Sequence, residues 1–135
     1  MVIPAVEKIK EAGREIGERH DLKFAVLYGS AANGRAKEGS DIDIAVYGRS
    51  VLEFVEIVEI INEFMDALQV NEIDVKSLHH TDPLFRWQVM EGGILLFGDK
   101  FDFAKFRIYA FRDYIESKSL FDLKEKMVKK QLKNL

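Results

Sequence analysis

Two short apolar runs, KFAVLYG (residues 23–29) and DIDIAVYG (41–48), each end in glycine and are separated by the eleven polar and small residues SAANGRAKEGS. Each run is too short for a buried helix, so both read as strands joined by a glycine-rich connection. This strand–loop–strand unit constrains the fold more than any other segment, because the sheet it starts must be covered by whatever flanks it. The flanks are helical in pattern. After Pro4, the residues Val6, Ile9, Gly13 and Ile16 recur at three- and four-residue steps, which predicts a helix over about 4–20. Ser50 reads as the N-cap of a second helix over 51–68, with Val51, Phe54, Val55, Val58, Ile61, Met65 and Leu68 as its buried stripe.

Beyond that helix, QVNEIDVKSL (69–78) reads as a third strand with Glu72, Asp74 and Lys76 on one face. TDPLFRWQVMEGG combines cap and proline chemistry with closing glycines, which predicts a short helix leading to a small strand, ILLFG (94–98). From Phe101 onward the chain is aromatic, then lysine-rich, and helical in pattern. The expected fold is α/β (α+β): a small mixed sheet flanked by helices, in one domain over 1–135. Its core spans about 4–98, and a helical extension about 99–135.

At 47% hydrophobic and 32% charged, 135 residues suit one globular domain with a real core. The net charge of -3 argues against bulk electrostatic coating of nucleic acid, so no direct nucleic-acid binding is expected. The absence of cysteine excludes disulfides and thiolate zinc sites. The opening segment is charged throughout and no stretch is long and apolar enough to span a bilayer, so a soluble, cytoplasmic protein without membrane contact is expected. Charge is uneven: residues 1–100 carry eleven Lys/Arg against eighteen Asp/Glu, whereas residues 101–135 carry nine against five.

The chemistry is concentrated in YGSAANGRAKEGSDID (28–43). On a strand, Asp41 and Asp43 point to the same face about 7 Å apart. Two such anions repel by roughly 2 kcal/mol at an effective dielectric near 20 unless a cation lies between them. All-oxygen ligands favour Mg²⁺ or Mn²⁺, and Mg²⁺ is held by one or two carboxylates together with substrate phosphates. Gly29 and Ser30 offer what a phosphate needs: an unobstructed backbone, exposed N–H groups and a hydroxyl. Asp74 joins the two aspartates if the third strand lies beside the second. Three carboxylates can hold two ions, with Asp74 a ligand or a general base.

Gly29-Ser30, ten intervening residues and Asp41-x-Asp43 together resemble the signature of the nucleotidyltransferase superfamily related to DNA polymerase beta. At this size the chain is similar to the minimal nucleotidyltransferases, the MNT or MntA-type antitoxins. The resemblance covers roughly residues 20–98 and implies a palm-like core. It implies Asp41 and Asp43 as metal ligands, Asp74 as third carboxylate, and Gly29 and Ser30 as triphosphate contacts. ATP as donor, Mg²⁺ as cofactor and a HEPN-domain ribonuclease toxin as partner follow, the toxin being silenced by adenylylation of a tyrosine. Family members often carry a basic residue just before the connection's glycine; here Asn33 stands there, and Arg35 or Lys37 is left to meet phosphate charge. A non-catalytic antitoxin acting by contact, and a nucleotidyltransferase acting on a small molecule, are the alternative readings.

Other residues invite weaker readings. His79 and His80 are adjacent and point apart, which disfavours a metal pair. Phe85 and Trp87 read as core. Leu52, Ile57, Ile60 and Phe64 lie outside the assigned stripe of the second helix and call for another covering layer, from the C-terminal segment or another protein, a homo-oligomer included. Phe101, Phe103, Phe106, Tyr109, Phe111 and Tyr114 read as core or as a partner surface, and the lysines at 124, 126, 129, 130 and 133 as a solvated helix end.

Overall fold

A computed structural model of the chain describes residues 4–33 and 42–135. The elements follow the expected order: α1 (Val6–Arg19), β1 (Leu22–Tyr28), a 3-10 turn (Gly29–Ala31), β2 (Ile42–Gly48), α2 (Phe54–Leu68), β3 (Ile73–Ser77), α3 (Pro83–Gly92), β4 (Ile94–Gly98) and α4 (Lys100–Lys133). The strands form one sheet in the order β3-β2-β1-β4. β1 is antiparallel to β2 and β4, and β2 is parallel to β3. The sheet is therefore mixed, with helices on both faces.

Strand alternation sends Leu27, Ile42, Ile44 and Val46 to one face, where they meet Ile9 and Ile16 of α1 and Ile60 and Phe64 of α2. Phe24, Val26 and Ala45 go to the other face, against Val89 and Met90 of α3 and Phe103 and Ala110 of α4. Each large side chain buried here contributes about 1.5–3 kcal/mol relative to exposure. Phe24 is the hub of the second layer, with ring centroids 5.3 Å from Tyr47, 5.9 Å from Phe103 and 5.3 Å from Phe106.

The assigned stripe of α2 is rotated from the real one. Val51, Phe54, Val55 and Val58 are exposed, Phe54 at 80%, while Ile60, Phe64 and Leu68 are buried and Ile57, Ile61 and Met65 pack beside them. The stripe that packs is the one built on Ile60 and Phe64, with polar contacts beside it. His20, just after α1, sits between two carboxylates of α2: its Nδ1 is 3.2 Å from Glu56, and its Nε2 hydrogen-bonds Glu63. Arg19 also pairs with Glu63 at 2.8 Å. These contacts lie on the side of α2 that faces α1, and Phe54 and Val55 are exposed away from it. Ser50 is not the cap: α2 starts at Phe54 with Glu53 in the N-cap position. The assignment at α3 fits better, with Pro83 in the first turn and Asp82 accepting from the Phe85 N–H at 3.0 Å.

α4 opens at Asp99, whose carboxylate accepts from the N–H groups of Phe101 and Asp102. Its first half is tied to α3. Arg86 donates to Asp113 at 2.8 Å and to the Thr81 carbonyl at 2.6 Å, and Arg107 donates to the Met90 carbonyl at 2.8 Å. The aromatic series divides accordingly: Phe103 is buried and Phe106 packs on Phe24, whereas Phe101, Tyr109 and Phe111 are exposed. From residue 118 to 135 every side chain is exposed. α4 lies on the α3 face of the sheet, so it does not cover the outer side of α2.

Candidate active site

β1 delivers the chain to Gly29, and sheet register decides what lies beside it. Tyr28 pairs with Asp43 across β1 and β2, and Asp43 pairs with Asp74 across β2 and β3. Paired residues of adjacent strands share a face, so Tyr28, Asp43 and Asp74 form one lateral row at the end of the sheet, with neighbouring strands about 4.8 Å apart. Asp43 stands in the middle. The row lies on the face covered by α3, just beyond the packed layer of Val26 and Ala45.

Gly29 is required here for two reasons. Its φ of +73° lies in the left-handed region, which a side chain disfavours. A Cβ at this position would also lie 2.5 Å from Asp43 Oδ2, so the missing side chain makes the space the carboxylate occupies. The 3-10 turn that follows is closed by the Ala32 N–H donating to the Gly29 carbonyl at 3.1 Å. In the amide orientation that satisfies both ends, Asn33 donates to the carbonyls of Ser30 and Gly29. Ser30 is half-buried at this turn, one residue from the glycine that faces Asp43.

Asp74 is half-exposed and 3.8 Å from the Lys76 ammonium. The Tyr28 hydroxyl is held protonated, its pKa driven well above the ordinary phenol value by burial and then by the negative charges of Asp43 and Asp74. Tyr28 also meets the edge of the Phe85 ring from α3, centroid to centroid 5.9 Å.

The structure thus brings Gly29, Asp43 and Asp74 together, with Ser30 adjoining. Asp41, Arg35 and Lys37 lie outside the described residues. Among the described residues no three His, Cys, Asp or Glu side chains gather into a metal-sized group. The chemistry of the donors present suits a hard divalent cation: two carboxylates in register on one face, with Asp41 two residues before Asp43 in sequence. Sequence reading missed Tyr28 and Phe85 as walls of this site. The signal for Tyr28 was available, since it ends β1 one residue before the turn.

The profile of the Polymerase beta, Nucleotidyltransferase family matches residues 7–102, from α1 into the start of α4. The chain belongs to that family of nucleotidyltransferases. A Methanocaldococcus jannaschii protein to which protein adenylyltransferase activity is ascribed is 36% identical over 75 residues, covering 50% of this chain and 81% of its own length. Among solved structures, a toxin–antitoxin structure with AMP-PNP contains a chain that superposes with a TM-score of 0.76 at 22% identity, covering 88% of this nucleotidyltransferase and 97% of that chain. A chain from the tri-AMPylated Shewanella oneidensis HEPN toxin in complex with MNT antitoxin gives a TM-score of 0.73 at 20% identity, covering 92% and 98%. At those identities the superpositions establish the fold. Among the described residues no helix is long and apolar enough to cross a membrane.

The His79 and His80 ring centroids lie 6.3 Å apart, tilted by 48°. The His79 ring stacks on Tyr47 at 4.4 Å with its Nδ1 buried and unpartnered, while His80 is exposed at a φ of 58°. Phe85 and Trp87 are half-buried against the second core layer.

Proposed function

We propose that this nucleotidyltransferase transfers AMP from ATP to a hydroxyl on a protein, the acceptor being a tyrosine of a cognate HEPN toxin, and so acts as an antitoxin in the cytoplasm. The observation that carries the reading is the Gly29 turn set against the in-register pair Asp43 and Asp74. The relative named for protein adenylyltransfer and the AMPylated toxin complex among the fold neighbours support it. The whole chain is one functional domain, with core and helical extension meeting near residue 98.

In this reading the Gly29 and Ser30 amides and the Ser30 hydroxyl bind the triphosphate. Asp41, Asp43 and Asp74 would hold Mg²⁺. When bound, the ion neutralises charge developing at the α-phosphate and acidifies the attacking hydroxyl. Asp74 takes the acceptor's proton. The acceptor oxygen then forms a bond to the α-phosphorus as the bond to the β-phosphate oxygen breaks, and pyrophosphate leaves. Protonated Tyr28 closes the β1 end of the row, and the Phe85 ring meets it from α3.

The test pairs Asp41→Asn with Asp43→Asn in the full chain, using labelled ATP and the cognate HEPN protein. Loss of transfer with an unchanged far-UV CD spectrum is expected. Unchanged transfer overturns the mechanism, and full silencing of the toxin without ATP or metal favours neutralisation by contact alone.

A further inference from the structure

We propose that two copies of this chain associate through faces that cannot meet within one molecule. The basic, apolar tail of α4, residues 118–133, docks on the acidic outer face of α2 in the second copy, and the second copy's tail returns the contact. This pairing is independent of the transfer reaction.

α4 outruns the domain it belongs to. Its first half is anchored where Arg86 meets Asp113 and Arg107 meets the Met90 carbonyl, whereas every side chain from residue 118 onward is exposed. Some 24 Å of helix therefore stands beyond the packed layer. An isolated helix of that length is marginal in water, so a partner that covers its apolar side completes it. Leu120, Leu123, Met127, Val128 and Leu132 line a groove of about 430 Å³ along that side. Lys126, Lys130 and Lys133 run beside it at four- and three-residue steps. Residues 118–135 hold six lysines against two acidic residues, and Lys129 is already paired with Glu125 at 3.3 Å.

α2 presents the opposite charge. Val51, Phe54, Val55 and Val58 are exposed around its start. Val55, Glu59, Asn62 and Asp66, four and three residues apart and all exposed, extend that face along the helix. Residues 51–69 hold five acidic residues and no lysine or arginine. Glu56 and Glu63 are taken by His20 and Arg19, and among the described residues Glu53, Glu59 and Asp66 are in no ion pair.

Both faces are apolar, and their charges are complementary. α2 belongs to the α1 layer and α4 to the α3 layer, on opposite sides of the sheet, so a continuous α4 does not bring its tail onto its own α2. Pairing two tails would set lysines against lysines; tail on α2 sets them against carboxylates. A twofold axis makes the contact twice and closes the assembly at two chains. Each contact is one helix on another, smaller than a standard interface, so association falls in the micromolar range and the chain unfolds as a monomer in dilute melts.

Sedimentation velocity on the full-length chain, over a concentration series across the micromolar range, reads this association. The mass should rise from 15.5 kDa toward twice that value, and added salt should weaken the dimer several-fold. Lys126→Glu with Lys130→Glu should leave the chain monomeric, and so should Glu59→Lys with Asp66→Lys. An equimolar mixture of these two double variants should dimerise again, because each reversed face then meets a reversed face and each unaltered face an unaltered one. Far-UV CD and melting temperature, expected unchanged, establish that both variants are folded. A chain that stays monomeric throughout the series overturns the proposal, as does a mixture that fails to associate. A dimer that survives Glu59→Lys with Asp66→Lys also overturns it, and places tail on tail instead.

Discussion

Gly29→Ala places two penalties on one carbon atom. The backbone there has a φ of +73°, and an L-residue held in the left-handed region costs roughly 1–2 kcal/mol. The new Cβ would also lie 2.5 Å from Asp43 Oδ2, whereas ordinary contact starts at 3.4 Å, so the carboxylate must retreat by about 0.9 Å. Asp43 sits on a strand paired on both sides, and its side chain has to rotate because the strand cannot shift. A displacement near 1 Å in a group that positions reactants costs about 100-fold in rate. The variant should therefore melt some 3–8 °C lower and transfer AMP about 100-fold more slowly. Gly92→Ala is the control: nothing lies within 4 Å of its added carbon, and the residue is in the last turn of α3. It should be neutral or stabilising by up to about 1 kcal/mol. Thermal melts and initial rates on the two variants decide the matter. A Gly29→Ala protein with wild-type rate and melting temperature would refute the idea that the missing side chain makes room for the carboxylate.

The remaining predictions concern the rest of the molecule. Phe64→Ala should cost about 3–5 kcal/mol in urea melts, while Phe54→Ser, on the outward side of the same helix, should change stability by less than about 0.5 kcal/mol. His79 is held below its ordinary pKa of 6.5, first by burial and then by the neighbouring His80. The unfolded ring takes up a proton near pH 6.5 and the folded ring resists it, so stability is complete above that pH and falls as pH drops below it. His79→Phe keeps the stacking on Tyr47 and should flatten this acid limb in melts run on either side of pH 6.5. Arg86→Met removes the guanidinium that joins Thr81 to Asp113, and should loosen α4 from α3 by about 1–3 kcal/mol, read as faster amide exchange over residues 100–113.

The strands were legible because their signal is local: a short apolar run, a glycine stop and alternation of faces. The Gly-Ser turn closing β1 and the place of Asp43 on β2 were legible for the same reason, while Asp41 lies outside the described residues. Two things were not. The rotation of α2 is set by which of its two apolar stripes packs on the core, and the contacts beside that stripe join His20 to Glu56 and Glu63, 36 and 43 residues further along, so no window of sequence contains them. With two overlapping apolar stripes on α2, periodicity alone chose the wrong starting side. The row Tyr28, Asp43 and Asp74 likewise arises from register, a property of pairing between strands. Asp74 was identifiable as a candidate from its face on β3. Tyr28 and Phe85 were hidden because an aromatic residue beside a core reads as core until its neighbours are known.

The most direct measurement of the central claim is the intact mass of the cognate HEPN protein after incubation with this chain, ATP and Mg²⁺, alongside the same reaction with Asp43→Asn. The account predicts a gain of one or more AMP masses on tyrosine with the unaltered chain and none with the variant. A HEPN protein that stays unmodified, or one modified equally by the variant, would contradict it.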